Sequence, residues 1–118
     1  MSYRLYLDDL RTPIDESFVV VRGFEAACEI VLSRGVPSFI SFDHDLGADK
    51  NGWLLPTGYD FAKWLVSSDM DGTISIPDNF SFKVHSQNPV GAKNIQAYMD
   101  NYLNFKKTNN QTKTCPPK

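Results

Sequence analysis

Seven residues that could do chemistry fall in three short clusters: Asp8-Asp9, Asp43-His44-Asp45 and His85-Ser86. Each cluster closes a run with the character of a strand, in "YRLYLDD", "SFISFDHD" and "FSFKVHS". Carboxylates in such a set can hold Mg²⁺ or another divalent cation, which keeps several waters and bridges to a phosphate oxygen. Imidazole is the side-chain type that exchanges protons near neutral pH, so two of them can serve as base and acid. Asn88 follows, with Pro89 behind it, a pairing that starts a helix and leaves amides near Ser86 to Val90 free for an anion. Together these groups suit phosphate chemistry.

Each has a plainer reading. Asp8 or Asp9 can cap the turn at "DLRTP", a lone histidine is often bonded to backbone, and Ser86 and Asn88 are ordinary caps. Coincidence favours a functional pocket. Both histidines of the chain stand at predicted strand ends beside acids or a helix cap, and neither lies in a helix or in the C-terminal segment.

The elements that must position these groups follow from periodicity. "YRLYLDD" and the valine-rich "SFVVVR" read as strands, and Phe24, Ala27, Cys28, Val31 and Leu32 recur at helical spacing until Gly35 and Pro37. "SFISFDHD" is the third strand. Thr57 with Asp60 three residues on marks a helix start, ahead of the inward stripe Phe61, Trp64 and Leu65. After the fourth strand, "FSFKVHS", comes a helix with Ile95, Tyr98, Met99 and Tyr102 on one face. Periodicity is lost from Asn104, so residues 1–103 are expected to form the domain and 104–118 a flexible polar tail. Gly47, Gly52 and Gly58 are read as loop-geometry residues.

Strands alternating with helices predict an α/β fold: a mainly parallel sheet of about four strands and about three helices, covered on both sides. Ligands of such sheets bind beyond the carboxyl ends of the strands, where all three clusters lie. One pocket there is expected to bring together up to four carboxylates and both histidines.

Bulk properties bound the function. The chain has 118 residues, 42% of them hydrophobic, which is enough for one ordinary core. Cys28 and Cys115 make neither a disulfide framework nor a zinc pattern. With no signal-like start and no long apolar run, the expected location is the cytoplasm, away from membranes. All 14 acids lie at or before Asp100, so that part carries 8 basic against 14 acidic side chains, a net of −6. A broad basic nucleic-acid surface is excluded, although a small contact with an RNA end is not. Composition leaves the oligomeric state undetermined.

In order along the chain, "YLDDLRTP", "SFDHDLG", "TGYDFAKWL" and "VHSQNPVGAKNI" resemble the cyclic-phosphate processing receiver domain, over roughly residues 4 to 103. The resemblance implies a receiver-like, flavodoxin-like fold. It maps the metal-binding acidic pair of receivers onto Asp8 and Asp9, their phosphoacceptor onto Asp43 and their hydroxyl residue onto Ser86. Only "LRTPIDE" separates the first two strands, too little for a receiver's first helix, and the fifth strand and helix are missing. So is the receiver lysine, for which Lys83 is no obvious substitute.

The function the resemblance implies is a metal-assisted phosphodiesterase acting on cyclic phosphates, either the 2',3'-cyclic phosphate of an RNA end or a cyclic nucleotide. Asp8, Asp9 and Asp43 would hold the metal, and Ser86 and Asn88 the phosphate. His44 and His85 would move protons, with Asp43 or Asp45 orienting His44. The alternatives are a noncatalytic module that binds a phosphorylated ligand or partner, and a regulator that accepts phosphate at Asp43.

Overall fold

The structure, a computed structural model, describes residues 2–114, with side chains as far as Thr108. Cys115 and the rest of the expected tail to Lys118 lie outside the described residues. The element order is β1 (Arg4–Leu7), β2 (Phe18–Val21), α1 (Phe24–Arg34), β3 (Phe39–Phe42), α2 (Gly58–Met70), β4 (Ser81–Val84) and α3 (Pro89–Thr114). The four strands form one sheet in the order β2-β1-β3-β4, every pair parallel. Among the described residues no helix is long and apolar enough to cross a membrane.

The sheet is not covered by helices on both sides, as the alternation of elements predicts. Leu5, Leu7, Val21, Ile40 and Phe42 join Ala27 and Val31 of α1, Phe61, Ala62 and Leu65 of α2, and Ile95 and Met99 of α3 in a single core. The connections β2–α1–β3 and β3–α2–β4 both advance across the sheet in one direction, and right-handed crossovers then place both helices on one face. The missing helix between β1 and β2 would have gone to the other face. There the alternate residues pack as aromatic pairs instead, Tyr6 on Phe18 at 5.6 Å and Phe18 on Phe39 at 6.0 Å between ring centroids.

Residues 8–17 therefore make a parallel connection with no helix, where a dozen or more residues are usual. Its turns are held by side chains. Asp8 accepts from the amides of Leu10 and Arg11, and Arg22 donates to the carbonyls of Asp8 and Arg11 and to Thr12 Oγ1. Arg4 closes the far end on Asp15 and Ser17.

Thr57 and Asp60 form the capping box read from the sequence, each side chain bonded to the other's amide. Gly58 is no loop residue. It opens α2, and a Cβ there would lie 1.8 Å from the Asp43 carbonyl oxygen, so the helix starts directly against the Asp43-His44 backbone. The Gly58 amide also donates to the His44 carbonyl at 2.8 Å.

Helix α3 continues past Leu103, where loss of periodicity ends the predicted helix. Tyr102 donates to Asp69 of α2 at 2.5 Å, and Lys106 reaches the same carboxylate at 3.0 Å and the Ile76 carbonyl at 3.1 Å. Residues 104–108, assigned to the tail, thus begin as docked helix. In α1, burial raises the Cys28 thiol to about 11, helped by Glu25 and Glu29, which leaves it a poor nucleophile.

Gly58→Ala is expected to lower the urea midpoint by the equivalent of ~1–3 kcal/mol or more, because the new methyl meets backbone that cannot turn aside. An unchanged midpoint would show that α2 is not locked onto the Asp43-His44 segment.

Candidate functional site

Strand parity builds the site. Leu7, Phe42 and Val84 are in register across β1, β3 and β4 and point into the helical core. The next residue of each strand must point the other way. Those residues are Asp8, Asp43 and His85, still held in the ladder by Asp43 N to Leu7 O and His85 N to Phe42 O, both 2.9 Å. Ligand atoms of all three lie within 4.8 Å of one another, and the group could hold a metal ion.

Asp8 is the centre of this cluster and is 1% exposed. Its Oδ1 accepts from the amides of Leu10 (2.9 Å) and Arg11 (2.8 Å). Its Oδ2 accepts from Arg11 Nε (2.8 Å) and meets His85 Nε2 at 2.9 Å. Burial pushes the carboxyl pKa up, but the backbone donors, His85 and the Arg11 charge outweigh it and hold the group below its ordinary 3.8. The Arg11 fork also comes within 3.6 Å of Asp43 Oδ1.

An ionised Asp8 can only accept, so the His85 proton sits on Nε2 and Nδ1 takes the Ser41 hydroxyl at 2.6 Å. The ring stacks on Tyr6 at 4.5 Å. Ser41, His85 and Asp8 have the order of a hydrolase triad. Ser41 is 2% exposed, however, so it holds the ring and cannot attack a substrate.

His44 is one residue out of phase with Asp43 and goes to the helical side. A Cβ on Gly91 of α3 would come within 2.4 Å of its ring. Its amide donates to Asp43 Oδ1 and its Nδ1 meets Asp45 Oδ1, both at 2.8 Å, while Nε2 has no hydrogen-bond partner among the described residues. That bond and Asn88 hold the Asp45 carboxyl below its ordinary value. Asn88 caps α3 through Gly91 N and spans the two Asp45 oxygens at 3.4 Å. Ser86 Oγ accepts from Asn88 N, with its own proton left to donate.

These elements surround an open pocket of about 370 Å³, lined by Asp8, Asp9, Arg11, Asp43, Asp45 and Ser86 with Leu10, Gly47 and Gln87. The four carboxylates expected there are present. Asp9 stands on the wall, outside the converging group with His85. Neither imidazole lines the pocket, contrary to expectation; His85 stands behind Asp8, and His44 behind Asp45. Asn88 is likewise engaged with the helix start and Asp45. Sequence alone assigns no site role to Arg11, Ser41, Tyr6 or Gly91.

The folded Asp8 pKa lies below its unfolded value, so the ionised form adds stability that is present above about pH 4 and lost as pH falls through the depressed value. Asp8→Asn is expected to cost on the order of 2 kcal/mol or more at neutral pH, since bonds to a charged group contribute ~1.5–3 kcal/mol. It should also flatten the acid limb of stability. Urea titrations from pH 7 to 2 check this, and parallel curves for the two proteins would contradict it.

A family model described as the cyclic-phosphate processing receiver domain matches residues 3–101. No curated protein and no solved structure matches the chain significantly. The matched stretch holds all four strands, the connection carrying Arg11, and every residue of the pocket; the chain belongs to the cyclic-phosphate processing receiver domain family.

Proposed function

We propose that this domain hydrolyses cyclic phosphate esters, the 2',3'-cyclic phosphate of an RNA end or of a nucleotide being the substrate class. The observation that carries the reading is that two carboxylates of one pocket, Asp8 and Asp45, are each bonded to an imidazole behind them, His85 and His44, and stand beside a guanidinium and a hydroxyl.

Water adds across one ring P–O bond, giving a phosphate monoester and a free hydroxyl. One proton leaves the attacking water and one reaches the departing oxygen. The Asp45–His44 pair on the wall takes the first, with Asn88 fixing Asp45. The floor supplies the second from the imidazolium form of His85, in which Nε2 donates to Asp8 and Nδ1 to the Ser41 oxygen, and which is left as the neutral ring afterwards. Arg11 and Ser86 Oγ hold the nonbridging oxygens. The acidic body of the chain fits a small contact with one phosphate, and the substrate side needs no broad basic surface.

The pocket's charges bear on a metal. Four carboxylates face one guanidinium, an excess of negative charge that an anionic ligand meets on entry. A divalent cation fits that surplus, and Asp8 and Asp43 would hold it, with Asp9 near by and the His85 Nε2 proton left in place. Mg²⁺ or a similar ion bound there would supply positive charge to the phosphate.

A second reading draws on the two imidazoles' standing behind the carboxylates: a module that binds a phosphorylated ligand without turnover. Phosphate transfer to Asp43 is a third, since its Oδ2 has no hydrogen-bond partner among the described residues and Asp43 lines the pocket. Intact mass after treatment with an acyl phosphate and Mg²⁺ separates that one.

With a 2',3'-cyclic nucleotide as substrate, His44→Ala and His85→Ala are each expected to lower kcat by ~10² to 10⁴ with KM little changed, as loss of proton transfer does. Circular dichroism reports folding of each variant. Binding of the cyclic nucleotide without any product from the parent protein would replace hydrolysis by the binding-module reading.

A further inference from the structure

We infer that Arg11 is a built-in cation that competes with a divalent metal ion for Asp8 and Asp43, and that phosphate relieves this competition by drawing the guanidinium away. The second half rests on the reading of the pocket as a phosphate site; the first does not.

The geometry is that of a cation already seated. Arg11 Nε lies 2.8 Å from Asp8 Oδ2 and Nη2 lies 3.6 Å from Asp43 Oδ1, so one guanidinium spans the carboxylates whose oxygens converge with His85. Both Asp8 oxygens are filled, each by two donors. Asp43, more than nine-tenths buried, keeps Oδ2 without a hydrogen-bond partner among the described residues, beside the same pocket. An ion entering the group must displace Arg11, or share its oxygens with a like charge.

Displacement is feasible because the two partners differ. Asp8 is fixed from four directions and buried, whereas the Arg11 side chain is 41% exposed on a surface connection. Leaving the pair would cost the Arg11 side chain one contact with Asp8 and one with Asp43. Its planar fork matches two oxygens of a phosphate as well as it matches a carboxylate. Phosphate in the pocket therefore offers Arg11 another partner and opens the carboxylates to the ion. Binding free energies are reciprocal, so metal must tighten phosphate by the same factor that phosphate tightens metal.

Calorimetric titration of the full chain with MgCl₂ tests this, in the presence and absence of inorganic phosphate, for the parent protein, Arg11→Met and Arg11→Lys. Arg11→Met is expected to bind Mg²⁺ about tenfold more tightly or better, within the usual range of coupling between sites. Arg11→Lys, which keeps the charge, should bind as weakly as the parent. Phosphate should tighten Mg²⁺ several-fold more in the parent than in Arg11→Met, where only direct contact between ion and phosphate is left. Equal Mg²⁺ affinity in the parent and in a folded Arg11→Met overturns the competition. Should Arg11→Met fail to fold, the parent titration decides, and an affinity indifferent to phosphate overturns the coupling. A parent that turns over no cyclic phosphate while Arg11→Met still gains Mg²⁺ removes the proposed hydrolysis and leaves the competition standing.

Discussion

Four hydrogen bonds converge on the buried carboxylate of Asp8, and the rest of the site hangs from them. Two come from the amides of Leu10 and Arg11 and shape the connection after β1. The others come from Arg11 Nε and His85 Nε2, and so tie that connection to the end of β4. An ionised group in such a place is tolerated only while its donors stay. The turn, the guanidinium and the imidazole are consequently positioned by one requirement, the satisfaction of a buried negative charge.

Missing elements shape the pocket as much as the residues present. A helix between β1 and β2 would leave the strand on its own course, and Asp8 would need other donors. With ten residues in its place, the chain folds back tightly enough for Arg11 to return over the strand end. The same economy leaves one face of the sheet without helices, where Tyr6 stacks on His85 and Ser41 bonds it from below. A stacked, doubly bonded ring in a confined space keeps one orientation, which is what a support for Asp8 needs.

The two histidines show how little distance along a chain says about distance in a site. Asp43 and His44 are neighbours, but β-strand alternation sends one to the helix-free face and the other against Gly91. His85, far away in sequence, shares the parity of Asp8 and Asp43 and joins them. Each imidazole meets a different carboxylate, so the pocket presents acids to a ligand and keeps the rings behind. The glycines at 58 and 91 make the second arrangement possible, since both helices begin closer to the Asp43-His44 segment than any side chain would allow.

Local chemistry made much of this legible in the sequence. Periodicity located all four strands and the starts of the helices, because burial on one face imposes it, and the Thr57–Asp60 box and the Asn88-Pro89 start are contacts between near neighbours. The convergence of Asp8, Asp43 and His85 followed from the rule that parallel strands end together. Helix coverage was read wrongly, since which face a helix takes depends on crossover direction and not on composition. The end of α3 was missed because Lys106 is polar in the sequence and finds Asp69 only when α2 lies beside it. The roles of Arg11 and Ser41 were decided in the same way. An arginine in a loop and a serine in a strand are unremarkable until the fold brings a buried carboxylate and an imidazole within hydrogen-bonding reach, and that is a property of three strands in register, which no single stretch of sequence contains.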